Sequence, residues 1–334
     1  MKDCFLTLMF LFLSVGLPAQ EGGKATYRFL DLTPSPQVAA LGGEVIAVPD
    51  ANPALAFYNP ALLDSASSNI LSLNYVYFFA GINFGYAAYA RSYRQNNFAV
   101  GIHYVNYGRF TEADMLGMIT GEFTAAEYAF NLTYSRRLPW LDSTLTVGAN
   151  VKPLLSVFER YSSYGLLADA GVTYRHPDKL FTAALVVRNM GTQLTTYAGS
   201  GREAVPFEVQ LGLSQQLQHA PFRLSLVIQH LESRLGDADT EADAKHGIGL
   251  YADELMRHMV LGVECLPFKG LVLRGGYNYQ RRQEMKVPSR TGMVGFSWGA
   301  GIHVSRFHID YARSRWHLAG ASNHFAISVD LNTR

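Results

Sequence analysis

Charge is scarce in this sequence. Charged residues make up 16% of its 334 positions, against roughly 25% in soluble domains, and the formal net charge is +1. A chain this close to neutrality has no basic field to hold a nucleic acid, so none is expected as a partner. Cysteine is scarcer still, with only Cys4 and Cys265. Cys4 precedes the first apolar run, which excludes a lipoprotein reading, and its loss with a leader would leave Cys265 alone, which excludes a disulfide framework. A helical membrane span is also missing. The longest apolar run, Phe5 to Leu17, is too short to cross a bilayer. Behind Lys2 and ahead of Ala19 it reads as a secretory signal over residues 1–19, cleaved near Ala19-Gln20. No Gly-x-Ser-x-Gly elbow occurs. The chain closes on "DLNTR" without a terminal aromatic, so no assembly signal is read there.

Aromatic and small residues are plentiful: 19 Tyr, 20 Phe and 30 Gly. From Asn69 onward the dominant period is two. In "EYAFNLTYS", Tyr128, Phe130, Leu132 and Tyr134 share one face, while Glu127, Ala129, Asn131 and Thr133 share the other. "MVGFSWGAGIHV", "HFAISVDL" and "LLADAGVTYR" alternate in the same way. Each reads as a strand with one apolar and one polar or small face. A soluble sandwich alternates too, but these runs are about 9–14 residues long, the tilted membrane-crossing length, where globular strands average about five or six. Aromatics gather toward strand ends, as at Tyr75, Tyr77, Phe78 and Phe79, where interface girdles belong.

Connection lengths set the strand count. Counting "HGIGLYA" as a strand gives fifteen, which cannot close an antiparallel barrel with both termini on one side; reading 233–256 as a loop, because it holds "DADTEADA", gives fourteen. The connections then sort by side. Arg94–Asn97, Leu138–Asp142, His176–Lys179, His219–Pro221, Pro267–Gly270 and Ser305–Arg306 are short. Phe78–Gly81, Arg109–Gly121, Lys152–Ser163, Gly191–Val205, Glu232–Met256, Arg281–Ser289 and Arg313–Ala321 are nearly all long. The expected fold is therefore all-β: a 14-stranded antiparallel transmembrane β-barrel over residues 67–334. Short turns and both mature termini are expected in the periplasm, and long loops outside. Backbone groups in lipid must be satisfied internally, which a closed barrel achieves.

Fourteen strands enclose more space than their own side chains fill. Residues 20–66 supply a filler. "ANPALAFYNPALL" holds Asn-Pro-Ala-Leu twice. Asn52 and Asn59 suit the N-cap, and Pro53 and Pro60 the first helical position. Two short capped turns in a loop-rich stretch are expected to fold into the lumen from the periplasmic end as a plug.

The segments "AALGG", "ALAFYNPALL", "YFFAGINFGYAAYAR", "MRHMVLGVE", "LRGGYNYQRRQE" and "LAGASNHFAIS", in this order, resemble the PorV/PorQ family of outer-membrane barrels of the type IX secretion system, on its PorQ side. The resemblance covers almost the whole mature chain. It implies a FadL-like architecture and a non-enzymatic role without cofactors, in the outer membrane of a Gram-negative, Bacteroidota-like cell. It also implies a PorZ-like surface partner, attachment-complex members like PorU and PorV, and contact with lipopolysaccharide. The alternative on the same fold is a FadL-like channel for hydrophobic small molecules.

Several side chains are candidates for chemistry. Glu127, Asp169, Arg175, Arg274 and Asp310 sit on expected lumen faces. They fit an ion or substrate path, or simple pairing with one another and with the plug in a polar interior. His103, His303, His308 and His324 are dispersed over different strands, whereas a metal centre needs three or four converging ligands. Gly295, Gly299 and Gly301 recur at period two and read as a small inner face making room for the plug. In the loops, Arg281, Arg282, Arg315 and Trp316 combine the residue types enriched in binding hot spots. They form a candidate docking surface, against the alternative of solvated loop or lipopolysaccharide contact.

Overall fold

The computed structural model describes residues 25–139, 144–176, 178–197, 201–233, 248–268, 270–285, 292–317 and 320–332. The signal over 1–19, the "DADTEADA" run and the side chain of Trp316 lie outside the described residues. The strands are β1 (Ile70–Tyr77), β2 (Asn83–Tyr93), β3 (Asn96–Ala113), β4 (Ile119–Arg137), β5 (Leu145–Phe158), β6 (Tyr161–His176) and β7 (Phe181–Gln193). They continue as β8 (Glu208–Gln216), β9 (Phe222–Ile228), β10 (Met259–Phe268), β11 (Leu271–Asn278), β12 (Phe296–Val304), β13 (Phe307–His317) and β14 (Gly320–Asp330). Each pairs antiparallel with its sequence neighbours, and β1 closes on β14 through Leu73↔Ile327 and Tyr75↔Phe325. The ring has no free edge along its length, which satisfies the backbone in a medium that offers no hydrogen bonds.

The alternation turns the usual protein inside out. Along β4, Phe130, Leu132 and Tyr134 are exposed, while Glu127, Asn131, Thr133 and Ser135 are buried. Along β12, Phe296, Trp298 and Ile302 face outward and Ser297 inward. Leu73, Val100, Val172, Leu224, Leu261 and Ile327 continue this apolar belt on other strands. So wide an exposed apolar surface is stable in hydrocarbon and a liability in water.

Three expected long connections are strand instead. Arg109–Gly121 is mostly β-hairpin, closed by the turn at 114–118. Lys152–Ser163 shrinks to the turn Glu159–Arg160, and β13 and β14 run to His317 and from Gly320. Beyond the apolar belt an outward face need not be apolar, so the alternation that marks strands fades while the pairing continues. Within the expected loop 233–256 the described residues from Ile248 belong to a helix, Ile248–Arg257, and Tyr279–Met285 is another.

Inside the ring runs a segment made of short pieces: 3-10 turns at Arg28–Asp31, Pro53–Phe57, Pro60–Leu62 and Ser65–Ser67, and a helix at Pro36–Ala40. It carries the apolar core. Phe29, Leu30, Leu41, Ile46, Leu55, Phe57, Tyr58 and Leu63 are all buried. All but Leu63 pack in one cluster with inward residues such as Val76, Phe84, Val105, Leu154 and Val260, and Leu63 packs with Ala90 and Ala99. The direction of the segment corrects the expected entry from the short-turn end. Ala25 bridges Ala204 in the β7–β8 connection, and Tyr27 bonds Ser163, both at the long-loop end. Asp64 reaches Arg175 at the short-turn end, where β14 also finishes. Strand parity fixes where each strand ends, but it does not dictate how a chain inside the ring is oriented.

Candidate functional site

The seat of the lumenal segment is built from backbone contact. Asn52 accepts from the amide of Ala54 at 3.0 Å and Asn59 from that of Ala61 at 2.8 Å, so each caps its turn. Pro53 and Pro60 occupy the first positions. At three points where the segment comes close, the wall residue is glycine. A Cβ on Gly171 would lie 2.3 Å from Asn59 Oδ1, on Gly148 2.4 Å from the Pro60 carbonyl carbon, and on Gly276 2.1 Å from the Gly42 nitrogen. None of these separations is tolerable, so only glycine admits the segment here. Gly299 meets Ala40 and Gly301 meets Asp310, both inward. Gly295 instead lies in the turn before β12, with φ +85°, against Arg282.

Hydrogen bonds stitch segment to wall along its whole course. Ser297 Oγ donates to Ala40 O at 3.0 Å and accepts from Gly42 N at 3.1 Å. Ser214 Oγ donates to Ala47 O at 2.7 Å. Asn59 Nδ2 donates to Ile46 O at 2.7 Å and Thr173 Oγ1 at 3.0 Å, and Ser135 Oγ donates to Leu63 O. The segment's irregular backbone carbonyls thus find donors that water would otherwise supply.

Charge inside the ring is paired. Arg274 donates through Nε to Glu264 at 2.9 Å and through Nη1 to Asp310 at 2.5 Å. Asp169 holds Lys152 Nζ at 2.7 Å and also accepts from the Asn189 amide at 2.8 Å. Glu127 accepts from Ser156 Oγ at 2.8 Å and from the Tyr107 hydroxyl. Arg175 stands apart, half exposed and 3.4 Å from Asp64. Pairing is the condition for keeping such groups out of water.

Lys152, Arg188, Glu208, Glu264 and the segment's own Glu44 were not picked out from the sequence. Extending the alternation Thr182, Ala184, Val186 by one step would have placed Arg188 inward. Arg188 Nη1 lies 3.3 Å from Glu44 and 3.4 Å from Glu208. The Phe57 ring sits near both cations, 5.0 Å from Lys152 Nζ and 6.0 Å from the Arg188 guanidinium, a favourable placement for a π-face. Burial pushes Glu44 up to about 7, with Arg188 opposing the shift and Glu208 adding to it.

His103 is buried among Phe29, Phe57 and Phe84. His303 and His308 stack at 5.6 Å near the short-turn end, and His324 bonds Ser322. Among the described residues no three His, Cys, Asp or Glu side chains converge to hold a metal ion.

At the other mouth, the loop arginines turn inward. Arg281 Nη1 donates to Ser314 Oγ at 3.1 Å, and its guanidinium covers Gly43. Burial lowers it to about 10, against the pull of Glu44 and Glu284. Arg282 donates to Val294 O at 3.2 Å and lies over the Phe296 ring. Arg315 is half-buried, and its carbonyl accepts from Gly295 N. Tyr279 ties its helix to Ile248–Arg257 through Asp253 Oδ1 at 2.6 Å. Exposed apolar side chains also gather at the tip of the β3–β4 hairpin, at Met115, Leu116, Met118 and Ile119.

This ring, with a chain segment threaded through it, is similar to solved transporter structures. The toluene transporter TbuX of Ralstonia pickettii superposes with a TM-score of 0.57 at 13% identity, over 91% of this chain and 100% of that one. The architecture is FadL-like. The toluene transporter TodX of P. putida matches at TM-score 0.52 and 14% identity, over 91% and 100%. A deltaS2 mutant of the TodX monoaromatic hydrocarbon channel matches at 0.53 and 15%, over 89% and 97%. Identities this low speak for the FadL-like fold alone. No family model matches the chain. No curated protein matches it in sequence.

Proposed function

We propose that this protein is an outer-membrane channel for small hydrophobic molecules, gated by its lumenal segment. The observation that carries the reading is the segment itself. It is an apolar stretch of chain ahead of β1, held along the glycine-lined wall by hydrogen bonds and ion pairs. Such a piece closes the ring at rest and opens a path when displaced. The FadL-like neighbours, named as carriers of toluene and monoaromatic hydrocarbons, support an apolar cargo. The short turns face the periplasm and the long loops the outside. The test is uptake of radiolabelled toluene and of a fatty acid into proteoliposomes. Flux above that of protein-free vesicles, raised further by deletion of residues 26–66, is expected; flux equal to the lipid background in both rejects the channel.

A second reading is docking within the type IX attachment complex, with a PorZ-like surface protein as partner and PorU/PorV-like members nearby. The sequence resemblance supports it, and so does the exposed hairpin tip. Met115 and Leu116 stand in open solvent at 105% and 86% exposure, where apolar side chains mark contact surfaces. Arg281 and Arg282 are engaged internally, so the tip is the better place for a partner. Recovery of a stoichiometric PorZ-like protein from native membranes, lost on Leu116→Ser with Met118→Ser, is the expected result. Recovery unchanged in that variant removes the tip from the interface.

A further inference from the structure

We propose a binding site for a phosphate ester at the short-turn mouth, independent of both readings above. The register of three adjacent strands assembles it. Arg137 of β4 stands opposite Thr146 of β5, which stands opposite Thr173 of β6. One step further toward the mouth, Thr144 and Arg175 follow on the same inward face, with Arg175 N donating to Thr144 O at 2.9 Å. Period two carries Thr144 and Thr146 to one face, and likewise Thr173 and Arg175. Two guanidinium groups and three hydroxyls therefore line one cavity of about 360 Å³.

The cavity's chemistry is that of an anion site with an apolar side. Guanidinium and hydroxyl donors match phosphoryl oxygens, and the planar fork of arginine favours that partner. Arg137 is exposed and has no carboxylate partner among the described residues. Arg175 has one, Asp64 at 3.4 Å, which also lines the cavity. Pro49, Ala61 and Leu62 of the lumenal segment close the remaining side. That side offers contact for the organic part of an ester, and the volume exceeds what a bare ion needs. Asp64 competes with the incoming phosphoryl group for Arg175.

A free phosphate ester and a phospholipid headgroup share this chemistry, and two arms of one experiment separate them. The full-length protein in detergent is titrated with glycerol 3-phosphate by calorimetry, against sodium chloride of equal ionic strength. In parallel, native mass spectrometry counts phosphatidylglycerol retained on the same protein. The variants are Arg137→Gln with Arg175→Gln, and Asp64→Asn, with barrel integrity followed by heat-modifiable migration. Saturable glycerol 3-phosphate binding, weakened at least tenfold in the double variant and tightened severalfold by Asp64→Asn, supports the site with a soluble ligand. Phosphatidylglycerol retention that the double variant loses, without glycerol 3-phosphate binding, supports it with a lipid headgroup. Absence of both, or binding that the intact double variant retains in full, overturns the proposal.

Discussion

The tetrapeptide Asn-Pro-Ala-Leu occurs twice in the lumenal segment, and the two copies do different things. Locally they match: each Asn caps through Oδ1, each Pro opens a 3-10 turn, and each turn is buried. Their surroundings part them. The Asn52 amide has Gln37 Oε1 within 3.5 Å, another residue of the segment. Asn59 is fully buried and its amide joins Ile46 O to Thr173 Oγ1, tying two stretches of segment to the wall above Gly171. Identical local code gives an identical turn. The neighbours decide whether that turn is only a cap or a joint.

The comparison can be broken hardest from the wall side. Gly171→Val forces a side chain into the space of Asn59 and is expected to unseat the segment. Limited proteolysis should then cut between residues 26 and 66 while the barrel keeps its heat-modifiable migration; a segment that stays protected would show that the close fit is not what holds it. Next in size, Asn59→Ala removes a cap and two buried hydrogen bonds, about 3 kcal/mol of seating energy, measured as the rise in cleavage rate under subdenaturing urea. Asn52→Ala removes mainly the cap, about 1 kcal/mol. Equal effects of these two alanine variants would erase the distinction between cap and joint. Thr173→Val withdraws one partner of Asn59 and is expected to cost about 1 kcal/mol, with no added effect in the Asn59→Ala background.

The smallest effect expected is one of pH, acting from Glu44. Burial raises Glu44 to about 7 from a usual value of 4.5. The seated state therefore binds the proton more tightly than the released, solvated one. Its contribution to seating is full below about 4.5 and is lost as pH rises through about 7. Cleavage of the segment should quicken between pH 5 and 8 in the native protein and show a flatter profile in Glu44→Gln. A profile unchanged by that substitution would assign the titration elsewhere.

Much of the architecture was legible in the residues because a two-sided strand must alternate. Phe130 and Leu132 against Asn131 and Thr133 gave the strands and their faces, and fourteen of them close the ring. The two Asn-Pro turns were legible because capping is a local bond between a side chain and an amide two residues on. Elsewhere the signal failed for physical reasons. The β3–β4 hairpin rises past the apolar belt, where alternation has no solvent contrast to report, so its strand ends Arg109–Ala113 and Ile119–Gly121 passed as loop. Lys152 was hidden for another reason: it opens a stretch of β5 in which Leu154 is apolar on the inward face too, so the contrast between the two faces is lost there. Arg281 has the chemistry of a docking residue, but it packs over Gly43, a contact 238 positions away that no local pattern encodes.

Local chemistry, then, set the period of the strands, the scarcity of charge, the turns and their caps, since each depends on neighbours within a few residues. The course of the lumenal segment, the partners of Lys152, Arg188 and Arg274, and the row of Arg137, Thr146 and Thr173 at the mouth depend on closure of the ring. Closure sets strand register, and register decides which distant side chains share one face.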